Sequence, residues 1–206
     1  MKRLLISGWD GRMGGRVRAL APAYGFDPLD FDGNDAGDIV IDFSHPSRLQ
    51  ALLERSLPLV IGTTGVTPAQ QAQIAAAAQA FPIFHSANFS PGIFALSRAL
   101  RQLKTLLPEW EAALTEQHHA AKRDVPSGTA LELAKVLGLP EDQILSGRAG
   151  TVRGVHTVVL YGPEETLTLT HSAESRTLFA HGALRAAQWL LTQKNGLYGM
   201  ENLYRP

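Results

Sequence analysis

The sequence predicts an α/β protein: a doubly wound parallel sheet joined to a second, α+β domain with an open mixed sheet. Three observations carry that prediction. Short apolar runs alternate with helical stretches through the first eighty-odd residues, a glycine turn separates the first run from the first helix, and after Asn88 the rhythm changes to strands that alternate apolar with polar. At 206 residues the chain has room for two small domains, read as 1–88 with 184–206 and as 89–183.

Taken in order, Leu4 to Ser7 is a strand that runs into Gly8, and Gly15 to about Ala23 is helix-compatible. Phe26 to Asp32 reads as a second strand, but Pro28 has no N–H for a ladder and assigns it to a sheet edge. Ile39–Phe43 and Leu57–Gly62 are compact apolar runs of the kind buried on both faces, with Pro46–Arg55 at helical spacing between them. Thr67-Pro68 opens a helix to about Ala80, and Phe81–His85 is another strand. A long helix from Ser90 to Leu107 begins the second half, followed by a strand over Trp110–Gln117 and a helix over Ser127–Leu137 that Gly138 stops. Val152–Tyr161 and Thr166–Ser172 alternate as half-buried strands, and Gly182–Thr192 is a closing helix with Ala183, Ala186, Ala187, Leu190 and Leu191 on one stripe.

Composition excludes several function classes. Nineteen basic side chains balance nineteen acidic ones, so no general field draws nucleic acid or an anionic membrane. The chain has no cysteine, which removes disulfides, thiolate nucleophiles and Cys-type zinc sites. The apolar run at the start is too short for the core of a signal peptide, and no segment approaches a membrane span, so a cytoplasmic protein is expected.

Two clusters carry chemistry. Gly8-Trp9-Asp10-Gly11-Arg12-Met13-Gly14 lacks the middle glycine of the usual dinucleotide fingerprint, yet it sits between a strand and a helix, the Rossmann-like placement that sets a pyrophosphate on a helix start. Asp32, 18 residues after Gly14, is placed to hold the adenosine ribose, with Asp30 as the alternative. Gly33-Asn34-Asp35 follows without an arginine, so NADH is expected to serve at least as well as NADPH, although Arg12 or Arg16 could reach a 2′-phosphate. Gly62-Thr63-Thr64-Gly65 lies at the carboxyl edge of the sheet and suits the nicotinamide end. In the second cluster, His118 and His119 precede Lys122 and a helix start at Pro126-Ser127-Gly128-Thr129, where Ser127 caps and the next amides attract a carboxylate. Proton donors therefore stand beside an anion site. A metal is not expected, because the histidines are adjacent and no H-x-x-x-H or carboxylate set completes a ligand cluster. His45, His85, His156, His171 and His181 read as structural, while Arg148 and Arg176 are possible aids to binding.

Together, Gly11-Arg12-Met13-Gly14, Ile41-Asp42-Phe43-Ser44, Gly62-Thr63-Thr64-Gly65, Ala87-Asn88-Phe89-Ser90, His118-His119 with Lys122, and Pro126-Ser127-Gly128-Thr129-Ala130 resemble the dihydrodipicolinate reductase family. The resemblance covers essentially the whole chain, in a shortened form with little room between Asp32 and Ile39. It implies hydride transfer from NADH or NADPH to a small cyclic dicarboxylate in lysine and diaminopimelate synthesis, giving tetrahydrodipicolinate. It further implies His118 as proton donor, His119 as a substrate ligand, Lys122 as the cation that anchors a carboxylate and polarises the ring nitrogen, and Gly128 and Thr129 as holders of the other carboxylate. Ser86, Ala87, Asn88 and Phe89 fall beside the cofactor in that comparison, and a homotetramer built through the second domain is implied. The competing readings are another small-acid dehydrogenase on the same fold, or a dinucleotide-binding sensor without turnover.

Overall fold

The computed structural model describes residues 1–33 and 35–205; Asn34, in the turn expected after Asp32, and Pro206 lie outside the described residues. The chain divides into two compact units, Met1–Phe89 with Thr177–Pro206, and Ser90–Arg176.

Unit 1 opens with strand β1 (Lys2–Ser7), helix α1 (Arg12–Leu20) and strand β2 (Phe26–Asp30). It continues with β3 (Ile39–Asp42), α2 (Leu49–Glu54), β4 (Leu59–Ile61), α3 (Pro68–Ala77) and β5 (Pro82–His85). Five of its strands are those expected from the apolar runs, all paired in parallel, in the order β5-β4-β3-β1-β2. β2 lies at the edge, where the missing N–H of Pro28 faces no partner strand. Leu5, Val40, Leu59, Ile61 and Ile83 form one buried face against Leu49 and Leu52 of α2 and Ile74 of α3. The alternating residues Leu4, Ile6, Ile39, Ile41, Val60 and Phe84 are also fully buried, so both faces are covered, as a parallel sheet requires. Each such side chain contributes about 1.5–3 kcal/mol by leaving water.

The last part of unit 1 follows the second unit in sequence. Helix α6 spans Thr177–Leu190, beginning before the expected Gly182 start, and buries Ala183, Ala186, Ala187 and Leu190 of the expected stripe. A Cβ on Gly182 would lie 2.0 Å from the Phe89 carbonyl oxygen, so this glycine lets helix and backbone approach closely. Strand β10 (Gly196–Tyr198), which the sequence did not disclose, adds to β5 at the far edge, and the short helix α7 (Met200–Leu203) follows.

Unit 2 carries α4 (Pro91–Leu106), β6 (Glu111–His118), α5 (Gly128–Leu137), β7 (Ile144–Arg148), β8 (Val155–Tyr161) and β9 (Thr166–Ser172). Its sheet runs β7-β6-β8-β9, parallel between β6 and β7 and antiparallel elsewhere, which makes it mixed. β7 is the strand the sequence concealed. Leu96 and Leu100 of α4 and Ala130, Leu133, Ala134 and Leu137 of α5 pack on Leu114, Ile144, Val158 and Leu160 of the sheet.

Candidate functional site

The glycine turn of unit 1 is shaped by close approach. Gly8 has φ +84°, and a Cβ there would lie 2.6 Å from the Phe43 carbonyl oxygen; a Cβ on Gly14 would lie 2.0 Å from the Gly8 carbonyl oxygen. Gly11 donates to the Gly8 carbonyl at 2.9 Å and caps α1, which starts at Arg12 with no side-chain cap and no acidic residue in its first turn. A helix start left with its backbone donors and partial positive charge suits a pyrophosphate. Arg12, Met13, Phe43, Ser44, Gly62, Thr63 and Thr64 line an open pocket around it.

Not every expected cofactor residue offers its side chain to that pocket. The Thr63 hydroxyl donates to buried Asp42 Oδ2 at 2.6 Å and accepts from the Ser44 amide at 2.9 Å, so it locks the ends of β3 and β4 together. Thr64 is exposed, and Gly62 leaves room for the Phe43 ring, which a Cβ would meet at 2.2 Å. Ser86 accepts from the Asn88 amide and donates to its carbonyl, a local turn, and the Phe89 side chain is core, its ring near those of Phe43 and Phe84. Ala87 is exposed beside it. Asp32 is exposed at the end of β2 and forms an ion pair with Arg48, a residue far from it in sequence that the reading of the Gly33–Asp35 turn did not consider. Arg16 donates to the Arg12 carbonyl, holding one of the two arginines considered for a phosphate along its own helix.

In unit 2, strand alternation builds the second cluster. Leu114, Glu116 and His118 fall at every second residue of β6 and all three are buried, so an acid and an imidazole share the inward face. Glu116 Oε1 accepts from the Ser127 amide at 3.0 Å, Ser146 Oγ at 2.8 Å and Arg148 Nη2 at 2.8 Å. Burial alone would push its carboxyl upward, but the bonds from Ser127, Arg148 and Ser146 outweigh this and hold it at about 2. Its other oxygen, Oε2, faces His118 Nδ1 at 3.3 Å and His156 Nε2 at 3.7 Å. His118 titrates below its ordinary value, mainly through burial, with Glu116 pulling upward and Lys122 and Arg148 downward. Burial, reinforced by the facing His118, drives His156 down to about 4, so it is neutral at pH 7.

Lys122 Nζ donates to both carboxylate oxygens of Asp124 at 2.7 Å, a partner that the sequence did not announce. His119 Nε2 lies 2.7 Å from Arg176 Nη2; a guanidinium only donates, so this nitrogen accepts and the ring carries its hydrogen on Nδ1. Ser127 caps α5 by accepting from the Ala130 amide at 3.2 Å, is buried, and reaches His156 Nε2 at 3.3 Å, so its hydroxyl is occupied by structure. Gly128 is exposed with open space beside it, and Thr129 is half-buried.

Sequence reasoning missed Glu116. The signal was present: an acid two residues ahead of His118 on an alternating strand shares its face. The expectation that no carboxylate joins the histidines is thereby corrected, since Glu116, His118 and His156 offer ligand atoms within 4.8 Å of one another. Arg148 bonded to Oε1 already supplies the positive charge, and the cluster is read as a buried acid paired with that guanidinium beside two imidazoles, not as a metal centre.

Comparison with known proteins accords with these two halves. Residues 29–89 match the family model described as dihydrodipicolinate reductase, N-terminus, and residues 92–204 the model described as dihydrodipicolinate reductase, C-terminus. The 4-hydroxy-tetrahydrodipicolinate reductase of Caldanaerobacter subterraneus is 36% identical over 248 aligned positions, covering 100% of this chain and 99% of the relative. That alignment is longer than the 206-residue chain, so the relative has segments without a counterpart here. The enzyme of the same name from Sulfurovum sp. is 38% identical, with 98% of each chain covered. In fold, the chain is similar to a dipicolinate-bound dihydrodipicolinate reductase from Paenisporosarcina sp. TG-14, with TM-score 0.78, 21% identity and coverage of 98% and 99%.

Proposed function

The chain belongs to the dihydrodipicolinate reductase family, and on that premise we propose that unit 1 holds NADH or NADPH while His118 and Lys122 of unit 2 carry the proton-transfer and anchoring chemistry. The protein is an NAD(P)H-dependent oxidoreductase that reduces the 4-hydroxy-tetrahydrodipicolinate or dihydrodipicolinate ring to tetrahydrodipicolinate in lysine and diaminopimelate synthesis. A bound reduced nicotinamide supplies the hydride, and this chain supplies everything else.

Gly8, Gly11 and Gly14 bring backbone to the pyrophosphate, Arg12 and Met13 flank it, and Asp32 meets the adenosine ribose. Thr64 offers its amide and hydroxyl toward the nicotinamide end, Gly62, whose amide is bonded to the Asp42 carbonyl, lets the chain pass close by, and Thr63 and the Ser86–Phe89 turn act through backbone. Lys122 exchanges its bond to Asp124 for one substrate carboxylate, and the backbone amides at Gly128 and Thr129 take the other at the start of α5. His119, held by Arg176, lies next in the chain to the proton donor and binds the same ring. The 4-hydroxy form first loses its hydroxyl and a neighbouring ring proton as water; as hydride then reaches the ring, the N–H bond of the His118 imidazolium breaks, a C–H bond forms at the neighbouring ring carbon, and the electron pair stays on the imidazole. Water recharges it.

The observation that carries this reading is the convergence in unit 2 of a buried imidazole with a lysine ammonium close enough to depress its proton affinity. Such a pairing has no use in a dinucleotide sensor. The test follows NADH and NADPH oxidation with substrate generated in place by the preceding synthase. Oxidation dependent on the cyclic dicarboxylate supports the reading; turnover of unrelated small acids instead, or dinucleotide binding without turnover, overturns it.

Assembly as a cytoplasmic homotetramer belongs to the same proposal. Exposed Leu145 on β7 and Tyr161 on β8 share the face of the unit 2 sheet turned away from α4 and α5 and give it apolar surface, which supports association. No helix among the described residues is long and apolar enough to cross a membrane. Sedimentation velocity at micromolar protein measures the subunit number directly.

A further inference from the structure

We infer that Glu116 is a positioning residue for the reaction: its Oε2 fixes the His118 imidazole with Nδ1–H toward the carboxylate, leaving Nε2 as the nitrogen that carries the transferred proton. The inference rests on His118 as proton donor and deepens that reading.

The two oxygens of Glu116 are unequal. Oε1 is saturated by Ser127, Ser146 and Arg148, donors from a helix cap and from β7, which pins the carboxylate in one orientation. Oε2 is buried and makes no hydrogen bond, and the same holds for His118 Nδ1, 3.3 Å away. A buried carboxylate oxygen without a donor is costly, and the nearest N–H that can serve it is Nδ1–H of His118. The competing imidazole is less well placed. His156 Nε2 lies beyond hydrogen-bond reach at 3.7 Å and stands within reach of Ser127 Oγ instead, at 3.3 Å.

The other side of His118 agrees. Gly154, at φ +147°, has no side chain, and a Cβ there would lie 3.1 Å from Nε2. Glycine thus keeps space beside the nitrogen assigned to the acid. Five groups face this ring: Glu116 on its own strand, Lys122 and Asp124 from the following loop, Arg148 from β7 and His156 from β8. Of the two carboxylates, Glu116 pulls the imidazole's proton affinity up more strongly than Asp124 does, so its loss leaves Lys122 and Arg148 weakly opposed.

The test uses ¹⁵N NMR of the histidine rings in the free protein together with pH profiles of turnover. In the wild type, neutral His118 should be the Nδ1–H tautomer. In Glu116→Gln, the His118 pKa should fall by about one unit or more, tenfold in protonation. The high-pH limb of kcat should then move to lower pH, and kcat at neutral pH should drop by about tenfold or more, since the proton donor is both less charged and less well oriented. Ser146→Ala removes a donor to Oε1 only, so it should lower the melting temperature while leaving the His118 titration in place. An Nε2–H tautomer in the wild type, or a Gln variant that keeps both pKa and pH profile, overturns the inference. If Glu116→Gln fails to fold, the wild-type tautomer decides alone. Absence of wild-type turnover with the cyclic dicarboxylate would sink the functional reading separately, because the NMR measurement needs no substrate.

Discussion

Arg48 and Asp32 form an ion pair at the carboxyl edge of the unit 1 sheet, although they are sixteen residues apart, one just ahead of α2 and the other in the turn after β2. Arg48 also lies over the Phe31 ring at 5.5 Å, so the guanidinium is held beside the acid assigned to the ribose. A 2′-phosphate arriving there would meet Asp32 as a repelling charge and Arg48 as an attracting one. Arg48→Ala should therefore lower kcat/KM for NADPH by about tenfold, roughly 1.4 kcal/mol, while changing that for NADH by less than about threefold. Equal losses with both cofactors would show that Arg48 does not read the phosphate.

His118→Ala and Lys122→Ala should each lower kcat by at least about 10²-fold, the usual scale for a general acid. Dinucleotide affinity, measured by calorimetry, should stay within about threefold of wild type, because both residues belong to unit 2. Unchanged turnover in both variants would remove them from the chemistry.

The Lys122–Asp124 contact gives a prediction of the opposite sign. In the free protein Asp124 holds the ammonium through two 2.7 Å bonds, so an incoming carboxylate must displace it. Asp124→Asn should lower KM for the dicarboxylate several-fold, and the gain should shrink as salt is raised, since exposed charges are screened. A raised KM would show that Asp124 orients Lys122 productively.

Acid should destabilise the protein in two stages. The unfolded chain binds a proton on His156 near 6.5, but the folded chain does so only near 4, so stability falls as pH drops through that window. At about 1.4 kcal/mol per unit the swing is about 3 kcal/mol. Glu116 adds a loss of the same sign between 4.5 and about 2 as its proton displaces the bonds from Ser127, Ser146 and Arg148. Thermal melts from pH 8 to 4 should show a falling midpoint, and His156→Phe should flatten the upper part of that curve. A wild-type midpoint that does not change between pH 7 and 4.5 would contradict this account.

The strands at Ile39–Asp42 and Leu59–Ile61 were legible because both faces are covered and the sequence runs apolar, and Pro28 placed β2 at the edge for a local reason, its missing N–H donor. β7 was not legible: Ser146 and Gly147 break its apolar pattern, and what makes it a strand is pairing with β6, a long-range fact. β10 has three residues and a glycine, too little signal for any periodicity. The same division holds at the site. The glycine turn and the helix start at Ser127 are local in sequence and could be read, whereas the contacts of Glu116 with Arg148 and of Arg48 with Asp32 exist only once the strands are assembled. Arg148 was noticed without a partner; Glu116 was passed over because a lone acid in a strand looks like a solvated one.

The order of segments along the chain also sets an order of synthesis. Residues 90–176 form an uninterrupted stretch, while unit 1 needs α6 and β10, which the ribosome makes only after that stretch. During translation the second unit can condense as soon as its final strand emerges, while the nascent sheet of unit 1 waits with the α6 side of its core uncovered and β5 unpaired at its outer edge. Unit 1 is thus begun before unit 2 and completed after it, and its interim form leaves a sheet edge and part of its core open to wrong pairing.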